Sequence, residues 1–145
     1  MPALTIQIQA GGPLLDLEVG VSAPRRQALQ AASQPIPASV KIRVLVDTGA
    51  SNTCIDKNII QALQLTPTGT MPIHTPSTGN APHQCNQYDV HLTIIHPRLS
   101  FAIPALPIIE SDFSQQGIQG LLGRDVLAGC VLVYNGEVGF YTLAF

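Results

Sequence analysis

Short runs of strict apolar–polar alternation, broken by glycine and proline, constrain this chain more than any other feature. Leu4 to Gln9 alternates Leu, Ile and Ile with Thr, Gln and Gln; Leu14 to Val21 reads L-L-D-L-E-V-G-V; Lys41 to Val46 reads K-I-R-V-L-V. A period of two sends alternate side chains to opposite faces, which is the geometry of a strand. Tyr88 to Ile95 and Leu99 to Ile109 read as two further strands, and Cys130 to Tyr134 with Glu137 to Leu143 as a closing pair. Gly11-Gly12 and Asn135-Gly136 sit between such runs and predict two-residue hairpin turns, the latter because both its positions need positive φ. Twelve Gly and twelve Pro supply the remaining turns. Helix is scarce. Asp56 is a suitable N-cap for Lys57 to Leu65, Arg124 to Ala128 suits one turn closed by Gly129, and R-R-Q-A-L-Q-A-A after Pro24 is compatible with helix. The expected fold is all-β with one or two short helices, a single closed or folded-over barrel over residues 1–145.

Composition removes several classes of function. Hydrophobic residues make up 46% and charged residues 11%, the reverse of a disordered segment. The net charge is -2 with no basic cluster beyond Arg25-Arg26, so no nucleic-acid partner is expected. Cys54, Cys85 and Cys130 are odd in number and widely spaced, unlike a disulfide framework or a zinc site, and read as reduced thiols. His74, His83, His91 and His96 are scattered and read as surface or loop residues, so neither metal nor cofactor is expected. The N-terminus lacks the pattern of a signal peptide, and the most apolar stretch, Phe101 to Ile109, is broken by Pro104 and Pro107. The expectation is a soluble, cytoplasmic chain with no membrane partner.

One stretch carries candidate chemistry. Leu45-Val46-Asp47-Thr48-Gly49-Ala50-Ser51 places a carboxylate at the end of an apolar strand. If that strand is buried on both sides, Asp47 arrives in a low-dielectric site. Gly49 allows a tight turn and leaves room for a partner and a substrate, and the Thr48 hydroxyl can tie the turn. Turn chemistry alone explains Asp and Gly equally well, so this stretch leaves a capped turn and a catalytic carboxylate both open.

A second stretch, Leu121-Leu122-Gly123-Arg124-Asp125-Val126-Leu127, follows downstream. In order and separation, it and Val46-Asp47-Thr48-Gly49-Ala50 resemble the two motifs of the retropepsins, the retroviral and retroviral-like aspartic peptidases. Between them, Met71 to Gln84 and then Asn86-Gln87-Tyr88-Asp89 look like that family's flap hairpin and return strand. The resemblance covers roughly residues 40–132.

It implies a retropepsin-like closed barrel, a single lobe of the acid-protease fold, acting as an aspartic endopeptidase. Such enzymes use two carboxylates that share a proton, whereas this chain has a single Asp-Thr-Gly. A homodimer pairing Asp47 with Asp47 of a second copy is therefore implied, acting on an extended peptide. Active-site support falls to Thr48, Gly49, Ala50, Ser51, Gly123 and Arg124. The flap, about residues 71–88, offers Thr75, Ser77, Thr78, Gly79 and Asn80 to substrate, or is an ordinary solvated loop. The C-terminal hairpin, residues 130–145, is the candidate dimer surface; packing on its own barrel is the other reading. The 22–39 insertion stands as a self-cleavage site, a cover over the cleft, or a tolerated loop. Two departures matter. Many retroviral members carry Asp where Ser51 stands, so Arg124 must find a partner other than that acid. Ala50 stands where pepsin-like enzymes carry Ser, and the expected working range is mildly acidic. A catalytically silent barrel serving dimerisation or peptide binding is the alternative function.

Overall fold

The computed structural model describes residues 1–74 and 81–145. The chain runs β1 (Ala3–Gln7), β2 (Leu14–Val21), α1 (Ala23–Ala31), β3 (Val40–Val46), β4 (Cys54–Asp56), α2 (Lys57–Ala62), β5 (Gly69–Ile73), β6 (His83–Ile94), β7 (Phe101–Ser111), β8 (Gly120–Leu122), α3 (Arg124–Leu127), β9 (Val131–Asn135) and β10 (Phe140–Ala144). The larger sheet is ordered β2-β3-β8-β4-β7-β6-β5, and β2 also pairs with β6. Six strands thus close on themselves, with β5 attached outside the ring to β6. The smaller sheet is β1-β10-β9. The mainly β, closed-barrel expectation holds.

Alternation explains the interior. Leu15, Leu17 and Val19 of β2, Ile42, Val44 and Val46 of β3, and Tyr88, Val90, Leu92 and Ile94 of β6 are all buried at every second position. Intervening Lys41 and Arg43 are exposed. The strand leading to Asp47 is therefore buried on one face rather than both, which corrects the expectation for K-I-R-V-L-V.

Both predicted two-residue hairpins are also corrected. β1 pairs with β10, not with β2. The chain does turn tightly there, Gln9 and Gly12 exchanging backbone hydrogen bonds at 3.2 and 2.9 Å around Ala10-Gly11, but the turn leads from the small sheet into the barrel and does not pair β1 with β2. At the other end, Asn135 stays in β9 opposite Phe140, and the turn runs over 136–139. Neither Asn135 nor Gly136 has a positive φ; Gly139 does, at 74°. The reason is local: the Asn135 side-chain oxygen accepts from Val138 N at 3.3 Å, which favours a longer turn over a type I′ pair.

The small sheet is anchored to the barrel by its inner face. Tyr141 and Leu143 of β10 are buried, and the Tyr141 hydroxyl donates to the carbonyl of Leu14. Asp56, itself buried, caps α2 by accepting from Asn58 N at 2.8 Å and binds Phe113 N at 2.7 Å. α2 stops short of the predicted Leu65, because Gln64 turns left-handed at φ 52°. α1 is capped by Ser22 and buries no residue. It leaves β2 at Val21 and returns at Val40, so the length of β3 separates it from Asp47. The 22–39 insertion does not stand over the Asp47 end. Among the described residues no helix is long and apolar enough to cross a membrane.

Candidate active site

β3 delivers Asp47, and the parallel strand β8 holds it in place, with Val46 opposite Leu122. Asp47 N donates to Leu122 O at 3.0 Å just beyond that pairing. The chain then turns. Ala50 N donates to Asp47 O at 3.3 Å, and Gly49 N donates to the Asp47 carboxylate at 2.8 Å. The side chain of Asp47 is thus oriented by its own turn and left half-buried at the end of the strand. Thr48 is exposed, and among the described residues its hydroxyl makes no hydrogen bond. Its carbonyl, not its hydroxyl, ties the turn, by accepting from Arg124 at 3.2 Å.

The second motif clasps the first. Arg124 N donates to Ala50 O at 2.9 Å, and the Arg124 guanidinium donates to Ser51 Oγ at 2.9 Å. The departure noted at Ser51 therefore resolves into a neutral hydroxyl partner where an acid would make an ion pair. Gly123 lies so close to the first motif that a Cβ would sit 2.6 Å from the Asn52 carbonyl carbon. Only glycine fits that approach.

Sequence reasoning missed Thr53, which is 1% exposed. Its hydroxyl donates to Asp125 at 2.7 Å and accepts from Gly123 N at 3.1 Å, while its backbone N donates to the other Asp125 oxygen at 2.8 Å. Asp125 also accepts from Val126 N at 2.9 Å, at the start of α3. One carboxylate and one hydroxyl so lock the two motifs together through three hydrogen bonds, and the fourth ties Asp125 to its own helix.

Neighbouring Cys54 is not a candidate nucleophile. Burial pushes its thiol up to about 11, with Asp125, Cys85 and Asp47 adding to the effect, so it stays protonated at neutral pH. The three cysteines are free and half-buried. Among the described residues no group of three His, Cys, Asp or Glu could hold a metal ion. Pairing of β5 with β6, from Gly69 opposite Gln87 to Ile73 opposite His83, forms the base of the expected flap hairpin. Thr75, Ser77, Thr78, Gly79 and Asn80 lie outside the described residues.

A cavity of about 630 Å³ is lined by Asp16, Arg43, Asp56, Phe113 and Gln119 among others and does not include Asp47.

The profile of the aspartyl protease family matches residues 38–126, which contain both motifs. The chain belongs to the aspartyl protease family. Among solved structures it is similar to a retropepsin-like aspartic protease from Rickettsia conorii, at 14% identity and a TM-score of 0.60, over 99% of this chain and 90% of that one. The shared fold is retropepsin-like, in a single lobe. Weaker likenesses are to the EIAV protease (18% identity, TM-score 0.42, 65% of this chain and 83% of that). A retroviral protease-like domain of Ddi1 from Leishmania major gives 13% identity and a TM-score of 0.40, over 86% of this chain and 83% of that. These two score too low to add to the fold, which rests on the Rickettsia enzyme. No curated protein matches the sequence. The family match starts near β3 and ends in α3, so the β9–β10 hairpin lies beyond it.

Proposed function

We propose that two copies of this chain pair about a two-fold axis, bringing Asp47 to Asp47 and creating an aspartic endopeptidase. The observation that carries this reading is the Asp47 turn itself: a carboxylate held by Gly49 N, half-exposed at the end of β3. Four of the other aspartates are committed elsewhere. Asp125 binds Thr53, Asp56 binds Asn58 and Phe113, Asp16 pairs with Arg43, and Asp112 pairs with Lys57. The chain carries a single Asp-Thr-Gly, so in this reading symmetry supplies the second carboxylate.

In this mechanism one Asp47 is ionised and its mate protonated, because like charges at close range cannot both ionise. The ionised carboxylate takes a proton from water as the water oxygen attacks the scissile carbonyl carbon. The protonated carboxyl gives its proton to the carbonyl oxygen. Collapse of the resulting diol breaks the C–N bond, and the amine leaves with a proton returned from the dyad.

The β9–β10 hairpin is the surface we assign to the partner. Its inner face is already spent on the barrel. Its outer face and turn leave Val131 51%, Val133 54%, Val138 62% and Phe140 42% exposed, Tyr134 on the other face is 58% exposed, and β9 is an open edge. An apolar face beside a free strand edge is an aggregation hazard unless covered. The test is digestion of a diverse peptide pool at mildly acidic pH, with sedimentation of the same samples. The wild type is expected to sediment as a dimer and cleave, and Asp47→Asn to remain a dimer with cleavage at background. Equal cleavage by both, or by neither, would overturn the reading.

A further inference from the structure

Among the described residues Arg124 has no carboxylate partner. The two ion pairs among the described residues join Arg43 to Asp16 and Lys57 to Asp112. Arg124 spends its side-chain donors on two neutral oxygens, Thr48 O and Ser51 Oγ. A guanidinium carries five N–H donors in a planar fork suited to a carboxylate, so part of that capacity is unused. Its neighbour Asp125 offers nothing, since its oxygens are taken by Thr53 and Val126 N. Arg124 and Ser51 are both exposed in the lobe. An uncompensated cation from α3 thus stands against the Asp47 turn, bonded to Ser51, which lies four residues along the chain from Asp47.

We propose that Arg124 and Ser51 form an acid-accepting subsite that selects peptides with Glu or Asp two or three residues from the scissile bond. The proposal rests on the peptidase reading for the position of the scissile bond, but not for the recognition itself. An extended peptide advances about 3.3 Å per residue. A strand laid over Asp47 therefore reaches the Ser51 end of the turn within a few residues. There a substrate carboxylate would accept from the guanidinium and from the Ser51 hydroxyl, giving the cation the acid this chain does not supply. Two charge-assisted bonds at an exposed site are worth roughly three- to tenfold in selectivity. That preference should shrink as salt rises. It should also fade as pH falls through the substrate glutamate's own pKa of about 4.3.

The experiment uses peptide sets that differ only in Glu against Gln at each position. Cleavage by the wild type gives one Glu/Gln ratio, and binding to Asp47→Asn gives another that needs no catalysis. Both ratios are expected at three- to tenfold at one position. Ser51→Asp, which supplies an internal carboxylate to Arg124, should bring them to about one. The ratio is read within each variant, so a general loss of affinity or turnover cancels. Cleavage with a flat ratio overturns the subsite and leaves the peptidase standing. Binding with the expected ratio but no cleavage by the wild type overturns the peptidase and leaves the subsite. A ratio that Ser51→Asp does not change overturns the proposal. So does a flat ratio combined with a dimer that dissociates in salt, which would assign Arg124 to an acid of the second copy.

Discussion

At the scale of single residues, the two motifs are held together by Thr53 rather than by either motif's conspicuous members. Its hydroxyl both donates to Asp125 and accepts from Gly123 N in a buried setting. Replacing Thr53 by Val keeps the shape and removes both bonds, leaving an amide and a carboxylate short of a partner. The expected cost is about 2–3 kcal/mol, read by urea unfolding, and cleavage should fall with it. Thr53→Ser restores the hydroxyl and should recover most of the loss; a Ser variant as unstable as the Val variant would show that packing, not the hydrogen bonds, matters. The sequence hides this residue for a physical reason. A Thr beside an apolar run reads as an ordinary strand former, and its partner lies 72 positions away. Asp47, Gly49 and Arg124 were legible because each sits in a compact motif, whereas the bond network joining the motifs exists only in three dimensions.

At the scale of elements, the closing hairpin depends on Tyr141. Burial pushes its phenol up to about 12 from an ordinary 10.0, with Asp16 contributing, while its hydroxyl donates to Leu14 O. The folded chain therefore favours the neutral phenol more than the unfolded chain does. That stability is fully present below pH 10 and is lost as pH rises from 10 towards 12. Tyr141→Phe should flatten this alkaline decline and cost about 1 kcal/mol at neutral pH through the lost hydrogen bond. Denaturant midpoints measured from pH 7 to 11.5 test both. Tyr88 is also raised, chiefly by burial, so some alkaline slope should persist in the variant. A wild-type slope equal to that of Tyr141→Phe would exclude the tyrosine as the cause. The elements themselves were largely legible, because alternation marks strands wherever they pair. Pairing partners were less so. β1 lies next to β2 in sequence yet pairs with β10, and Asn135-Gly136 read as a tight turn until the Asn135 side chain claimed Val138 N. Local pattern says that a strand exists; the tertiary fold decides its neighbour.

At the scale of the whole molecule, barrel closure removes most sheet edges, and the edge that matters is β9. The sequence signalled this without resolving it. Val131-Leu132-Val133-Tyr134 is apolar at every position, so alternation cannot say which face is covered. In the structure one face of the hairpin packs on the barrel and the other is open. Leu132 lies opposite the buried Leu143 on the barrel side, while Val133 lies opposite Thr142 on the outer side, where Thr142 and Thr5 share a hydrogen bond. This separation permits a substitution that addresses assembly alone. Val133→Asp places a charge on the outer face and leaves the packing of Tyr141, Leu143 and Leu132 untouched. Its effect on the isolated lobe should stay within about 0.5 kcal/mol, as for other surface changes. In a dimer built on this face, two such charges would be buried without partners, at a cost of several kcal/mol. The variant should therefore show a wild-type circular dichroism spectrum, sediment as a monomer, and fail to cleave. Thr5→Asp, two strands across on the same face, should act in the same direction. A Val133→Asp protein that still sediments as a dimer and cleaves at the wild-type rate would move the two-fold axis to another surface. A monomer that still cleaves would remove the need for a second Asp47 altogether.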